Sequence, residues 1–416
     1  MSGKLLALAI VAALTSPPPK AQFPTATPES VGLSAARLRR VEDFMARLQA
    51  EGKIAGAVTV VARRGQLVEL KAHGLADREA KRPMRTDDIF HLQSMTKPVV
   101  TVAALVLLEE QKFLLTDPID RFLPEFRELK VAVDKGGAPD GYVLAPAERP
   151  ITILDLLTHR AGFPGIPPGG SPAERLWQKA LESLPPHGDY TLEEAVRRMA
   201  GLPLDSQPGT VFKYGPASIV LGRVIEVASG RPLDALLREK IFEPLGMKDT
   251  AFVVPVEKRA RVVAAYSRSL DKGLVRRPAD PLAPRFFSGG GNLYSTPADY
   301  LRFCQMLLNG GELDGRRVLG RKSVELLTAR QVETMPNPFL RGQYFGLGVA
   351  VQKADGESGL ISSPGAYGWN GAYNTYFRID PKERLILMLF VQQDFSPHDL
   401  ELEYGFHNAV MQAIVD

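Results

Sequence analysis

The run Phe90-His91-Leu92-Gln93-Ser94-Met95-Thr96-Lys97-Pro98 places a hydroxyl and an amine three residues apart, just ahead of the apolar stretch 99–110. Proline is tolerated only in the first positions of a helix, where its missing N–H has no intrahelical partner to lose. Pro98 therefore sets the start of a helix over 99–110 close to Ser94, and Ser94 and Lys97 fall one turn apart on one face. That spacing suits nucleophilic catalysis. A serine hydroxyl is inert near neutral pH unless a base takes its proton as it attacks. A lysine amine can serve as that base when its surroundings disfavour the ammonium. The positive end of the helix dipole also favours an oxyanion developing nearby. By itself S-x-x-K is a weak signal, since a serine ahead of a helix is usually a cap.

Other chemistry-bearing patterns are poorer. Cys304 is the only cysteine, which excludes an intramolecular disulfide, and its apolar helical surroundings (300–308) make it a buried hydrophobe. The six histidines, at 73, 91, 159, 187, 398 and 407, lack metal-ligand spacing, so neither a metal nor a cofactor is expected. His159 with Asp155 and Ser94 offers a triad, but no G-x-S-x-G elbow accompanies it. Lys and Arg number 51 against 47 Asp and Glu, a net charge of +4, and the short clusters at 258–261 and 276–277 read as solvated surface. No nucleic-acid module is present. A mild positive field is compatible with anionic substrates but does not establish them.

The elements that must position Ser94 are legible from periodicity. Residues 31–52 carry apolar side chains at helical spacing, and 55–62 and 66–73 form a hairpin pattern around Arg64-Gly65. From 111 to 284 proline and glycine punctuate helical patterns at 154–157, 192–199 and 219–228. Strand patterns return at 345–351, 374–379 and 385–392, before a last helix over 400–415. Strands at both ends and helices between predict a discontinuous α/β domain, residues 22–110 with 285–416, around a mostly helical domain at 111–284. The leader, residues 1–21, has one lysine, then an apolar run at 5–14, then prolines. It fits a secretory signal better than a membrane span, which takes about 20 residues, and predicts an exported, periplasmic protein without a stable span, the alternative being a disordered leader on a cytoplasmic protein.

Several segments together resemble the β-lactamase-like serine hydrolases, the fold of class C β-lactamases and penicillin-binding proteins. They are "FHLQSMTKPV", "TILDLLTHRAGFP", "FKYGPASIVLGRVIE", "FSGGGNLYSTPADYLRFCQMLLNGG" and "YGWNGAYNTYFRIDP", in the family's order, over roughly residues 25–415. The resemblance implies an α/β (α+β) fold, an antiparallel sheet flanked by helices with a second, mostly helical domain. It implies Ser94 as the acylated nucleophile, Lys97 as its general-base partner and Tyr214 as a proton relay. It implies an oxyanion hole made by the backbone N–H groups of Ser94 and Ala372. It also makes His159, in "LLTH", structural.

Two departures shape the substrate. Tyr214 is followed by Gly215-Pro216 instead of the x-N of a Y-x-N motif, and Trp369 stands where a lysine or histidine would meet a β-lactam carboxylate. A tryptophan there resembles the family VIII carboxylesterases, although Asn370 replaces the middle glycine of their W-G-G. Trp369, Asn370, Gly371, Phe212 and Tyr373, with Tyr376 nearby, are the expected substrate-binding residues. The implied reaction is hydrolysis of a small-molecule, short-chain ester. A β-lactamase, a D-alanyl carboxypeptidase, a 6-aminohexanoate-dimer-type amidase and an acyltransferase share the same trio, and a non-catalytic binding protein is the remote alternative. The oligomeric state stays open.

Overall fold

A computed structural model describes residues 23–416 apart from 137–140, 167–168, 184–188, 270, 272, 334, 336–340, 355–356 and 396–399. The leader lies outside the described residues. Helix α1 (Ala35–Ala50), capped by the Ser34 hydroxyl on the Arg37 N–H, leads into strands β1 (Gly56–Arg63) and β2 (Gln66–Asp77). Arg64 and Gly65 both take positive φ in the tight turn between them. A two-residue edge, β3 (Arg82–Pro83), follows, then β4 (Phe90–His91) and helix α2 (Thr96–Glu109).

The middle of the chain holds the hairpin β5 (Lys130–Asp134) and β6 (Tyr142–Pro146), and helices α3 (Ile153–Leu157), α4 (Pro172–Glu182), α5 (Leu192–Ala200), α6 (Ala217–Ser229), α7 (Leu233–Leu237) and α8 (Glu243–Leu245). Capping boxes start three of them: Thr152 with Asp155, Ser171 with Glu174, and Thr191 with Glu194. Pro172, part of a stretch read as loop, opens α4 because a missing N–H costs nothing at that position. A second hairpin, β7 (Tyr266–Ser269) and β8 (Gly273–Arg276), precedes β9 (Tyr294–Ser295), which pairs with β4. The two hairpins show that 111–284 is not helical throughout.

Helix α9 (Pro297–Leu308), the short hairpin β10 (Glu312–Leu313) and β11 (Arg316–Arg317), and helix α10 (Arg321–Thr328) come next. Strands β12 (Gln343–Phe345), β13 (Ala350–Gln352), β14 (Tyr367–Asn370), β15 (Tyr376–Asp380) and β16 (Leu385–Phe390) complete the sheet, and helix α11 (Leu400–Met411) follows. The expected strand at 345–351 is two strands, because Gly348 at φ 69° turns the chain back between β12 and β13.

The main sheet has the order β12-β13-β14-β15-β16-β1-β2-β3 and is antiparallel throughout. Strand β16 is apolar at every position because both of its faces are covered. Leu387 and Leu389 meet Val41, Met45, Phe406 and Val410 of α1 and α11 on one side. Met388 and Phe390, with Val58 and Val60 of β1, face α2 and α9 on the other. Truncating one such side chain typically costs about 2–5 kcal/mol. Cys304 is buried in this layer, its Sγ 3.9 Å from Met388 Sδ, and burial pushes the thiol well up. Among the described residues no helix is long and apolar enough to cross a membrane.

Three buried histidines are held neutral. Burial lowers His73 to about 4, and it lowers His159 and His407 to about 3. Below the ordinary histidine value of 6.5 the unfolded chain therefore binds protons that the folded chain refuses, so stability is lost as pH falls. Asp299, pushed up to about 6 by burial, and Glu69, which burial also raises, act in the opposite sense, but they are two groups against three. The thermal midpoint is expected to fall steadily from pH 7 to pH 4.5. A midpoint that held constant or rose on acidification would contradict neutral burial of these rings.

Candidate functional site

Ser94 lies in a 3-10 turn, Gln93–Met95, that runs into α2 at Thr96, one turn earlier than Pro98 alone suggested. The turn is fixed from several sides. The Leu92 N–H donates to the Leu293 carbonyl at 2.8 Å, the Leu293 N–H to Thr96 Oγ1 at 3.3 Å, and the Tyr300 hydroxyl to the Met95 carbonyl at 2.9 Å. Gln93 is held at φ 50°, a conformation that non-glycine residues adopt only where the surroundings impose it.

Lys97 points back along α2. Its Nζ donates to Ser94 Oγ at 3.0 Å and to the Gly290 carbonyl at 2.7 Å, and lies 4.7 Å from the centroid of the Tyr214 ring. The residue is 6% exposed, and among the described residues no carboxylate pairs with it. The loop bearing the Gly290 carbonyl packs against the start of α6, and Gly289 permits that approach. A side-chain carbon at Gly289 would stand 2.1 Å from the Ser218 carbonyl oxygen.

Tyr214 ends the segment before α6. Its carbonyl accepts from the Ile166 N–H at 2.7 Å, and Gly215 passes so close to Pro164 that a β-carbon there would be 2.2 Å from the Pro164 oxygen. This contact gives a packing reason for glycine after the tyrosine. Trp369, on β14, donates its indole N–H to the Tyr214 hydroxyl at 3.3 Å, with the rings 5.3 Å apart.

The turn between β14 and β15 carries Gly371 and Ala372. The Asn374 N–H donates to the Gly371 carbonyl at 2.9 Å. In a trans peptide the carbonyl and the following N–H point in opposite directions, so this bond aims the Ala372 N–H away from Asn374. Among the described residues that N–H meets no protein acceptor. Thr375 Oγ1 donates to the Leu92 carbonyl at 3.0 Å, tying the turn to the segment that carries Ser94. Gly371 permits this approach: a β-carbon there would lie 2.3 Å from the Leu92 oxygen and 2.2 Å from Thr375 Oγ1.

Ser94, Lys97, Tyr214, Trp369 and the Gly371–Ala372 turn thus come together from distant parts of the chain. Other expected lining residues do not join them. Asn370 alternates to the opposite face of β14 and donates to Glu403 of α11 at 3.1 and 3.3 Å. Tyr376 faces the same way, bonded to His407 at 2.8 Å. Phe212 is buried behind Tyr214 against His159 and Phe345, with centroids 5.9 and 5.1 Å away. Tyr373 is buried with its hydroxyl donating to Asp280 at 2.8 Å. No hydrogen bond joins His159 to Ser94 or Asp155 among the described residues. Asp155 is held instead by Arg149 at 2.7 and 2.9 Å, and His159 packs 4.8 Å from the Tyr214 ring. Burial, then the Lys97 charge, hold that imidazole down near 3, which suits a packing residue and not a base.

Sequence reasoning missed two contributors. Gly290 acts through its carbonyl, and the triple glycine at 289–291 was its only signal. Gln392, just past β16, clamps the backbone of His91: its Nε2 donates to the His91 carbonyl and its Oε1 accepts from the His91 N–H, both at 3.1 Å.

This fold has known counterparts. The Beta-lactamase family model matches residues 41–410, and the chain belongs to that family of serine hydrolases. Protein Rv1367c of Mycobacterium tuberculosis is 37% identical over 355 residues, covering 82% of this chain and 86% of that protein. Esterase EstB of Burkholderia gladioli is 31% identical over 412 residues, covering 93% and 97%. Among solved structures, EstCE1, described as a hydrolase with promiscuous acyltransferase activity, superposes with a TM-score of 0.77 at 26% identity, covering 90% of this chain and 99% of that one.

The Gly371 contacts make a specific prediction. Gly371→Ala is expected to push the Ala372 turn off the Leu92 carbonyl and to slow acylation of the protein by a fluorophosphonate at least about 100-fold, the scale of one lost oxyanion donor. Circular dichroism should be unchanged. Acylation at the wild-type rate would show that the turn does not serve the reacting serine.

Proposed function

We propose that the protein is a carboxylesterase that hydrolyses short-chain esters through an acyl-enzyme on Ser94. The observation that carries this reading is the Lys97 amine, buried without a carboxylate partner and hydrogen-bonded to Ser94 Oγ. In its uncharged form this amine takes the Ser94 proton as Oγ attacks the ester carbonyl carbon. The oxyanion that forms is stabilised by the N–H groups of Ser94 and Ala372. Tyr214, beside Lys97, passes the proton to the departing alkoxide, which leaves as the alcohol. Water then adds to the acyl-enzyme, the same groups take and return its proton, and the carboxylic acid departs.

The ester preference rests on Trp369. Its indole N–H is committed to the Tyr214 oxygen, so this position on β14 presents no cation to a β-lactam or peptide carboxylate. EstB, named an esterase and similar over nearly the whole chain, agrees with that preference. EstCE1's acyltransferase activity supports one further possibility, that an alcohol can replace water in the second half-reaction.

Hydrolysis of p-nitrophenyl acetate and butyrate, beside nitrocefin, tests the reading. Ser94→Ala and Lys97→Ala are expected to lose at least about 1,000-fold in kcat/KM for both esters, and Tyr214→Phe about 100-fold or more. Fast nitrocefin turnover with negligible ester cleavage would reject the esterase assignment, and unaltered cleavage by Ser94→Ala would reject the nucleophile.

Trp369→Phe keeps an aromatic ring, though a smaller one, and removes the donor. A hydrogen bond to an oxygen gaining negative charge is worth about 1.5–3 kcal/mol, so kcat should fall about 10- to 100-fold with KM changed less than about threefold. A change confined to KM would make Trp369 a substrate contact only.

A further inference from the structure

His91, three residues before Ser94, and Tyr373, next to Ala372, are both buried and both turn toward one carboxylate. Asp280 Oδ2 lies 2.9 Å from His91 Nδ1 and 2.8 Å from the Tyr373 hydroxyl. A carboxylate only accepts at that position, so the His91 ring carries its proton on Nδ1 and donates to Asp280, as does Tyr373. The rings are packed as well as bonded: His91 stacks on Tyr294 at 4.5 Å and meets Tyr373 edge-on at 5.6 Å. Gln93, the strained residue directly before the serine, has its Nε2 3.4 Å from the same His91 nitrogen.

The backbones behind these side chains are fixed from a third segment. Gln392 holds His91 on both its N–H and its carbonyl, the Gln393 N–H donates to the Tyr373 carbonyl at 3.3 Å, and the Phe395 N–H donates to the Ala372 carbonyl at 2.7 Å. The Ser94 segment and the Ala372 segment are therefore joined three times, through Thr375 Oγ1 on the Leu92 carbonyl, through the segment after β16 and through the Asp280 carboxylate.

We propose that Asp280, with His91 and Tyr373, is a positioning device that sets the separation of the Ser94 and Ala372 N–H groups. This rests on the reading of those two amides as the oxyanion hole. None of the three side chains needs to touch substrate. Catalytic donors must sit within a few tenths of an ångström of the developing oxyanion, and an error of about 1 Å can cost on the order of 100-fold. A carboxylate shared by two buried donors resists such drift, because releasing either leaves a buried polar group unpaired.

The test compares Asp280→Ala, Asp280→Asn, Tyr373→Phe and the double variant Asp280→Ala/Tyr373→Phe with wild type and Ser94→Ala. Each full-length chain is assayed on p-nitrophenyl acetate and titrated with a trifluoromethyl ketone, which forms an oxyanion on addition of the serine. Asp280→Ala should lower kcat and weaken the ketone by the same factor, about 10- to 100-fold, with KM changed less than about threefold. Asp280→Asn keeps an acceptor oxygen and should recover most of that loss. The double variant should be no worse than Asp280→Ala alone, because both changes break one unit.

Losses that multiply in the double variant, ketone affinity that stays at the wild-type value, or activity that follows only the fraction of folded protein would each overturn the proposal. If Ser94→Ala retained activity, the reading of the site itself would fail, a result separable from any of these.

Discussion

One buried amine organises this molecule. Lys97 Nζ sits between the Ser94 hydroxyl and the Gly290 carbonyl, over the face of Tyr214, with no carboxylate among the described residues to neutralise it. A charged lysine in such a place is costly, and the usual remedy is an opposite charge. Here the surroundings supply a carbonyl dipole, a hydroxyl and an aromatic face instead. Those groups hold the amine against the Ser94 hydroxyl, the placement that the proposed mechanism asks of its base. The absent side chain of Gly289, the early start of α2 and the placement of Tyr214 before α6 together bring those three partners to one nitrogen.

The second constraint is the distance between two main-chain segments that never pair as strands. The Ser94 turn and the β14–β15 turn meet through Thr375 Oγ1 on the Leu92 carbonyl and through the absent side chain of Gly371. The sheet does the coarse placement, since β14 through β16 and β1 form one rigid layer under α2. The fine placement falls to polar side chains that lie outside the regular elements. Trp369 shows how one residue can serve both ends of such a site: its ring packs on Tyr214 and its N–H reaches the phenolic oxygen.

Much of this was legible in the chain. The S-x-x-K-P run located the helix start because proline has a strong positional rule, and the alternating and continuous apolar runs marked β1, β2 and β16. What escaped has a physical explanation in each case. The run 345–351 read as one strand because its apolar character is unbroken, while the turn is made by the backbone at Gly348. The hairpins β5–β6 and β7–β8 are short and polar enough to resemble loop. Asn370, Phe212, Tyr373 and Tyr376 were assigned to the cleft by nearness in sequence to Trp369 or Tyr214, but a strand sends neighbours to opposite faces and a tight turn sends them to different layers. Gly290, Gln392 and Asp280 act through a carbonyl, a backbone clamp and a shared acceptor. None of those roles leaves a periodic trace, so only three-dimensional proximity reveals them.

The strand order has a kinetic meaning. In the middle of the sheet β1 lies between β2 and β16, so residues near position 60 are paired with residues near 388. The entropy of closing so long a loop must be met before the layer can form. During synthesis the Ser94 region leaves the ribosome hundreds of residues before the segment that clamps His91 and Ala372. A nascent chain therefore carries Ser94 without an assembled cleft until the segment after β16 has emerged.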